Sequence, residues 1–252
     1  MRVLIIGAGN VATVLGRLIK EANHEIVQVI SRNKATAAAL ADELGCHFSN
    51  DFTQIDLSAD LYLVAMSDAA LNVLPEKIQL GDKLVVHTAG AISKDVLKDV
   101  SQQYGVLYPL QSLRRELAEK PTVIPFLVEG NNEVTTQTLL TFAQSISQNV
   151  SVTTENDRFK LHVAAVVVNN FTNHLYALAA EYCKIGNVPF NLLYPLIETA
   201  ANRLEHFPPN EMQTGPAIRK DITTLDKHLR MLTAHPKLKS IYLKMTDSIM
   251  NG

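Results

Sequence analysis

The feature that most constrains the fold is the opening stretch, Val3-Leu4-Ile5-Ile6-Gly7-Ala8-Gly9-Asn10-Val11-Ala12. Four consecutive apolar residues suit a strand buried on both faces of a parallel sheet. The glycines predict a tight turn after that strand, and an apolar stripe of helical spacing follows at once. The stripe is formed by Val11, Val14, Leu15, Leu18, Ile19 and Ala22. A strand, a glycine-rich turn and a helix in this order are typical of the βαβ unit that binds a dinucleotide.

The small residues of this G-x-G-x-x-A pattern have separate roles in such a turn. Gly7 permits the sharp reversal, and Gly9 lets the backbone approach a pyrophosphate because it has no Cβ. Ala12 suits the third position, where small size is enough for helix–strand packing. The positive end of the helix and its free amides would hold the phosphates. A structural glycine turn in another α/β protein is the alternative. The predicted cofactor contacts in this turn are Gly7, Ala8, Gly9, Asn10 and Val11.

The end of the predicted second strand, residues 25–30, indicates which dinucleotide binds. NAD-binding proteins usually carry Asp or Glu at this tip to accept from the ribose hydroxyls. This chain has Ser31-Arg32-Asn33-Lys34 instead. A carboxylate would repel a 2′-phosphate, whereas a serine hydroxyl and an arginine guanidinium can donate to it. The sequence therefore predicts NADP(H), with Ser31, Arg32 and Asn33 as contacts; a solvated basic turn is the alternative.

The composition places the chain among ordinary globular proteins. It has 252 residues, 47% of them hydrophobic and 19% charged, with a net charge of −2. This charge gives no support for a nucleic-acid-binding surface, and the longest internal apolar run, residues 163–168, is too short to cross a bilayer. Cys46 and Cys183 show neither a C-x-x-C nor a metal-ligand spacing. We expect reduced thiols, no metal, no membrane association and a cytoplasmic location.

The order of predicted elements indicates two domains. Residues 1–153 alternate strand and helix, with further strands at 46–48, 60–65, 83–86, 106–108, 125–128 and 150–152. This predicts an α/β fold, a Rossmann-type doubly wound and mostly parallel sheet, as the NADP-binding domain. Residues 154–252 carry only helical patterns, at about 156–184, 190–204, 218–233 and 238–250. They predict an all-helical domain for substrate binding and dimerisation.

The carboxyl ends of the strands point to the rest of the site. Ligands of such sheets lie in the crevice outside these ends, which adds Ala65, Met66, Ser67, His87 and Thr88 to the predicted cofactor contacts. His87 is a candidate acid or orienting donor, because the ordinary pKa of histidine, about 6.5, allows either protonation state. Alternatively, His87 hydrogen-bonds within its own loop.

The first helix after residue 154 is apolar nearly all round in its middle, which predicts that it is buried. One of its faces carries His162, Asn169, Asn173 and Tyr176. Buried amides must be hydrogen-bonded, so these side chains either bond to neighbouring helices or face a substrate. Lys160, in the first turn, is either a solvated end residue or an acid that orients the substrate.

Several short motifs give the chain a resemblance to known proteins. It resembles the superfamily in which an NADP-binding Rossmann domain precedes a helical domain of the 6-phosphogluconate dehydrogenase C-terminal type. That superfamily includes pyrroline-5-carboxylate reductase, deazaflavin-dependent NADP reductases and ketopantoate reductase. The chain is most similar to a bacterial family of NADP oxidoreductases whose C-terminal domain has no assigned function. The matching residues are 7–12, 87–91, 109–111, 160–170, 214–216, Arg219 and Asp221.

The resemblance implies hydride transfer between a nicotinamide and a small C=O, C=N or deazaflavin acceptor, and a homodimer formed through the helical domain. It places Thr214, Arg219 and Asp221 at the substrate, although an Arg219–Asp221 pair can equally be structural. Two positions depart from the relatives. Tyr108 stands where the family usually has His, and Lys160 is followed four residues later by alanine rather than the asparagine of the hydroxyacid dehydrogenases.

Two hypotheses of function follow from the sequence. The first is an NADPH-dependent reductase of a small-molecule substrate that lies between the strand ends and the helical domain. Its candidate catalytic residues are His87, Lys160 and Asn169, and its candidate substrate residues are His162, Asn173, Thr214, Arg219 and Asp221. The second is a non-catalytic protein that senses NADP(H) or acts as a scaffold. The absence of a familiar catalytic pair favours the second hypothesis, and a histidine at the strand ends favours the first.

Overall fold

The computed structural model describes residues 1–117 and 123–252 of the chain. The chain forms two compact units, Met1–Val167 and Val168–Gly252. The predicted division into functional domains at residues 153 and 154 stays a prediction. In both described ranges, every helix is too short or too polar to cross a membrane.

A single sheet of eight strands organises the first unit in the described ranges. The strands are β1 (Arg2–Ile6), β2 (Glu25–Ile30), β3 (His47–Ser49), β4 (Leu61–Val64), β5 (Leu84–His87), β6 (Gln103–Pro109), β7 (Phe126–Gly130) and β8 (Val150–Val152). Their order is β3-β2-β1-β4-β5-β6-β7-β8. Only β6 and β7 pair antiparallel. The predicted Rossmann-type, mostly parallel sheet is confirmed.

In the described part of the chain, four helices cover the two faces of the sheet: α1 (Asn10–Glu21), α2 (Lys34–Leu44), α3 (Asp68–Asn72) and α4 (Glu133–Ile146). A further helix, α5 (Glu155–Ala165), follows β8, and Arg158 is its buried residue. One core contains β1, β2 and β4 side chains together with α1, α2 and α4. A second core contains alternate residues of the same strands, together with Leu71 of α3 and the short 3₁₀ turns at Leu74 and Leu97. The central strands are therefore buried on both faces, as their apolar sequences predict.

The second unit is helical, as predicted. After a π-helical segment, Val166–Phe171, it contains α6 (Thr172–Ile185), α7 (Tyr194–Asn202), α8 (Ile222–Met231) and α9 (Pro236–Asn251). The helix predicted from residue 218 begins later, at Ile222. The reason is local, because Lys220 has a positive φ of 54° and Asp221 caps α8 by accepting from the amide of Thr224.

The helix predicted from about residue 156 begins slightly earlier, at Glu155. Its N-cap is Thr154, whose hydroxyl accepts from the amide of Asp157. The same hydroxyl donates to the Asp157 carboxylate at 2.9 Å. The Thr154 hydroxyl therefore satisfies one of the free amides at the start of α5 and is itself satisfied by the carboxylate three residues later.

The predicted burial of the middle of this helix is wrong for the single chain. Val163 is 64% exposed and Val168 is 71% exposed. Periodicity reveals that a helix surface is apolar, but it does not show which element covers that surface.

Candidate functional site

The turn after β1 has room for glycine alone at its first position. Gly7 has a φ of +122°, and a Cβ there would lie 2.1 Å from the carbonyl oxygen of Ala65. The amide of Gly7 donates to the carbonyl of Ile30 at the end of β2, at 2.7 Å. The turn thus brings the carboxyl ends of β1, β2 and β4 together, which is the role predicted for the first glycine.

The second glycine leaves open space where a ligand can approach. Gly9 is the N-cap of α1, with extended backbone and no side-chain cap. A Cβ on Gly9 would have no atom within 4 Å. The first turn of α1 contains no acidic residue, and the amides that begin a helix have no partner inside it. An open, amide-lined and positively polarised helix start fits the pyrophosphate of a dinucleotide, with Ala8, Asn10 and Val11 around it.

The tip after β2 presents basic and hydroxyl groups. Ser31 is held in place by its amide, which donates to the carbonyl of Ser49 at 3.1 Å. Arg32 is exposed, and no carboxylate in the described ranges forms an ion pair with it. The Asn33 side chain caps α2 by accepting from the amide of Thr36 at 3.2 Å. The Ser31 hydroxyl and the Arg32 guanidinium are thus available for a 2′-phosphate.

The ends of β4 and β5 complete the same edge of the sheet. The amide of Ala65 donates to the carbonyl of Ile6 at 2.7 Å, and the amide of Thr88 donates to the carbonyl of Val64 at 3.2 Å. Met66 and Ser67 follow Ala65 and lead into α3. The structure therefore brings the predicted cofactor residues of β1, β4 and β5 to one edge.

His87 is buried, and both of its ring nitrogens are bonded to its own loop. The amide of Ala89 donates to Nδ1 at 3.1 Å, and Nε2 donates to the carbonyl of Ser93 at 3.2 Å. Burial lowers the pKa of His87 to about 4, and the nearby charge of Arg158 also lowers it. His87 is therefore neutral at pH 7. Its hydrogen bonds are those expected if His87 holds its own loop in place, and a catalytic role for it stays a prediction.

Arg158 of α5 is a central residue of this region that sequence reasoning missed. Its side chain is fully buried, and its Nη1 donates to the carbonyls of Gly90 and Ile92, each at 2.8 Å, and of Ala89 at 3.3 Å. Its Nη2 lies 3.4 Å from Glu129 Oε2. The Arg158 guanidinium therefore fixes the loop that follows His87.

Glu129 of β7 is shared between two cations. Besides Arg158, Lys94 lies 2.8 Å from this carboxylate, and the bond to Glu129 raises the pKa of Lys94. Ser93, next to Lys94, donates to Glu155 at the start of α5 at 2.5 Å. The loop after β5 is thus bonded to β7 and to α5 by charged groups. The local sequence gave no signal for Arg158, because it lies in the polar first turn of α5 between Asp157 and Phe159.

Tyr108 and His162 form a second pair against the same loop. The Tyr108 hydroxyl and His162 Nδ1 are hydrogen-bonded at 3.0 Å. A Cβ on Gly90 would lie 2.4 Å from His162 Nδ1 and 2.8 Å from Tyr108 Cζ. His162, predicted as a substrate residue, therefore lies at the carboxyl end of β5, beside a tyrosine that the family resemblance gave no reason to select.

The remaining predicted residues lie on the outside of their own units. Lys160 is exposed and pairs with Asp157 at 3.2 Å, as the solvated alternative requires. Asn169, Asn173, Thr214 and Arg219 belong to the second unit and are exposed. Asp221 caps α8, and its bonds to Thr224 lower its pKa. In the described ranges, no three His, Cys, Asp or Glu side chains are grouped as metal ligands would be.

A Rossmann sheet, a glycine turn with an amide-lined helix start and a basic tip after β2 define an NADP-type dinucleotide-binding protein. The family comparisons agree with this class. Residues 2–90 match the model described as NADP oxidoreductase, coenzyme F420-dependent. Residues 124–249 match a domain of unknown function, DUF2520. None of the proteins with curated functions matches the chain.

A similarity to a solved structure extends over the full length of the chain. A Bacteroides fragilis protein with the provisional name NADP oxidoreductase is 35% identical, with a TM-score of 0.91, over 100% of this chain and 98% of that one. The chain therefore belongs to the NADP oxidoreductase family whose second domain is DUF2520, and its cofactor is NADP(H).

More distant structures share the fold. A pyrroline-5-carboxylate reductase of Streptococcus pyogenes is 15% identical, with a TM-score of 0.65, over 100% of this chain and 99% of that one. An imine reductase of Myxococcus stipitatus, solved with NADP⁺, is 14% identical, with a TM-score of 0.64, over 99% of this chain and 92% of that one.

Proposed function

We propose that the protein is a reductase of a small C=O or C=N group, or of a deazaflavin. The observation that carries this proposal is the shared edge at which the open helix start of Gly9 and the braced loop after His87 both lie. Membership of an NADP oxidoreductase family supports the reaction type, and the imine and pyrroline-5-carboxylate reductases that share the fold suggest the acceptor. Bound NADPH would supply the hydride.

In this proposal the chain holds the two ends of the cofactor with different elements. The amides of Gly9, Asn10 and Val11 bind the pyrophosphate, because a helix start favours negative charge. Ser31 and Arg32 bind the 2′-phosphate, and arginine can do so with two hydrogen bonds. The loops that begin at Ala65 and Thr88 line the nicotinamide end. His87 keeps the second of these loops in one conformation.

Calorimetric titration with NADPH and NADH tests the cofactor residues. We expect NADPH to bind more tightly, and Arg32→Ala to weaken NADPH binding by about tenfold, or about 1.4 kcal/mol, while it leaves NADH binding unchanged. Arg2→Ala is a matched control, because Arg2 begins β1 at the opposite edge of the sheet. Equal affinities of the parent protein for the two nucleotides would contradict the assignment of Ser31 and Arg32.

A panel of acceptors tests the reaction itself. The loss of NADPH absorbance is followed with 2-methyl-1-pyrroline as a C=N probe, cyclohexanone as a C=O probe and oxidised coenzyme F420 as a deazaflavin. Steady oxidation of NADPH with any one of them supports the reductase. Tight NADPH binding without turnover of any probe would contradict it and would favour the sensor.

We also propose that the protein is a homodimer through its helical unit. Within residues 168–252, all of which the structure describes, the buried hydrophobic residues are Leu178, Ala217, Leu225 and Leu232. Phe171, by contrast, is 59% exposed. So small a core does not offset the entropy of ordering a helical domain. Exposed apolar surface of this extent marks an interaction site, and a second copy of the chain would supply a matching apolar face.

Light scattering during gel filtration tests the dimer. The mass expected for the parent protein is twice the 27.8 kDa of one chain. Val168→Asp should shift the mass towards the monomer because it buries a charge in the proposed interface. Asp226→Asn, on the exposed face of α8, should leave the mass unchanged. A parent protein that elutes as a monomer at every concentration would contradict the dimer.

Two further expectations remain proposals. Cys46 and Cys183 are free thiols, which suits a reducing compartment such as the cytoplasm. Among the exposed residues of the second unit, Arg219 is the candidate for binding an anionic group of the substrate.

A further inference from the structure

Tyr108 and His162 form a hydrogen-bonded pair of rings that belong to two different elements of the fold. Tyr108 ends β6, and His162 lies on α5, 54 residues later. Their rings meet edge to face at 67°, with centroids 5.8 Å apart. The Tyr108 hydroxyl bonds to Nδ1 of His162, so one nitrogen of the imidazole is held by the protein.

The other nitrogen of His162 is available. His162 is partly exposed whereas Tyr108 is nearly buried, and Nε2 of His162 makes no hydrogen bond to any residue in the described ranges. A histidine with one nitrogen oriented by a neighbour and the other open is the arrangement of a general acid or base.

The surroundings of the pair place this open nitrogen beside the cofactor edge. Gly90, three residues beyond the end of β5, packs directly against both rings. Its carbonyl is held by Arg158, which lies one helical turn before His162 on α5. The loop that begins at His87, which is proposed to line the nicotinamide end of the site, therefore also contacts the Tyr108–His162 pair.

We propose that His162 donates the proton that completes the reduction, and that Tyr108 positions it. This inference rests on the proposed reductase function. The protonated imidazole gives its Nε2 proton to the oxygen or nitrogen of the acceptor while the acceptor carbon receives the hydride of NADPH. The C=O or C=N double bond becomes a single bond, and the positive charge of the imidazolium cancels the charge of the hydride. Solvent then protonates Nε2 again.

Tyr108 is suited to both protonation states of its partner. A phenol hydroxyl can accept from Nδ1–H of the imidazolium and can donate to Nδ1 of the neutral ring. Burial raises the pKa of Tyr108, so its hydroxyl stays protonated at neutral pH. The ring of His162 can thus lose and regain its Nε2 proton without changing its orientation. Arg158 is the charged group beside the pair.

The other candidate acids are less suited to this step. His87 uses both ring nitrogens within its loop. Lys160 is directed to Asp157 on the exposed side of α5.

Kinetics of two variants test the proposal with the acceptor probe that the parent protein reduces. His162→Gln should lower kcat by about 10²- to 10⁴-fold, the usual contribution of a general acid. Tyr108→Phe should lower kcat by about tenfold, because it removes only the hydrogen bond that orients the ring. Both variants should bind NADPH with unchanged affinity. His47→Gln, at the exposed start of β3, is the control for loss of a histidine.

Nitrogen-15 NMR of histidine-labelled protein bound to NADP⁺ supplies a measurement without turnover. The Nδ1 signal of His162 should report its hydrogen bond to the Tyr108 hydroxyl, so Tyr108→Phe should shift that signal and leave the signals of the other histidines in place. An Nδ1 signal that is the same in the parent protein and in Tyr108→Phe would overturn the positioning of His162 by Tyr108.

The possible outcomes separate the two proposals. If the parent protein reduces a probe and His162→Gln keeps its kcat within threefold, the proton donor is wrong and the reductase stands. If the parent protein binds NADPH and reduces no probe, the reductase fails and the proton donor fails with it.

Discussion

Arg158 Nη1 donates to the carbonyl oxygen of Gly90 at 2.8 Å, which joins the first turn of α5 to the loop after β5. Gly90 in turn contacts the rings of Tyr108 and His162. One buried guanidinium therefore sets the position of the loop at the proposed nicotinamide end and of the pair proposed to deliver the proton. The stability of the fold and the geometry of the site depend on the same residue.

Replacing Arg158 with methionine should destabilise the protein by about 3–5 kcal/mol. The substitution leaves three loop carbonyls without their donor and removes one of the two cations at the buried Glu129 carboxylate, and breaking a buried pair has a cost of this size. Urea unfolding measures the change. Arg230→Met, which breaks an exposed pair with Asp226, should cost less than about 1 kcal/mol. Equal effects of the two substitutions would refute the bracing role of Arg158.

The neutral state of His87 predicts a pH dependence of stability. Its pKa is about 4 in the folded protein, where burial disfavours the charged ring, and about 6.5 in the unfolded chain. Between these values the unfolded state binds more protons, so the free energy of unfolding falls as the pH drops from about 6.5 to about 4. Two and a half pKa units correspond to about 3 kcal/mol.

Urea unfolding of His87→Gln at several pH values isolates this contribution. The variant should be less stable at pH 7 and should lose less stability between about pH 6.5 and 4 than the parent protein does. His47→Gln removes an exposed histidine and should keep the parent dependence. Parallel pH profiles for the parent and His87→Gln would show that His87 is not held neutral.

Substitutions of the two glycines in the first turn should have different effects, one on stability and the other on cofactor binding. Gly7→Ala should destabilise the fold by more than about 3 kcal/mol, because its Cβ meets the carbonyl of Ala65 and its φ is positive. Gly9→Ala should leave the melting temperature nearly unchanged, because its Cβ enters open space. That methyl group would occupy the approach of the pyrophosphate, so NADPH affinity should fall by at least about tenfold. Unchanged NADPH affinity in Gly9→Ala would contradict the phosphate site.

Gly90→Ala should disturb the proton-donor pair from the backbone side. The new Cβ would overlap Nδ1 of His162 and the ring of Tyr108, so one ring has to move and the hydrogen bond is lost. We expect kcat to fall by about tenfold or more, with NADPH affinity unchanged, because the phosphate-binding turn is not touched. A parent-like Nδ1 signal of His162 in this variant would show that the two rings tolerate the methyl group.

The sequence by itself determined the βαβ unit and the class of cofactor. The strand of residues 3–6, the Gly7 and Gly9 turn and the helix behind it are specified by local spacing, and Arg32 follows β2 at a position that the fold prescribes. The predicted strands agree with the observed ones to within about three residues, because a short apolar run bounded by turn residues is a local property. The Gly45 cap of α2, with a φ of 74°, was predictable for the same reason.

Only the tertiary structure decided which polar side chains act together. Arg158 meets the carbonyl of Gly90 across 68 residues, and His162 meets Tyr108 across 54, and no local pattern specifies such pairings. The sequence selected His87 for its position, but the fold surrounded it with two backbone partners and left it neutral. The exposure of Val163 and Val168 could not be predicted from the sequence either. Periodicity shows that a helix has an apolar face, whereas the burial of that face depends on what packs against it.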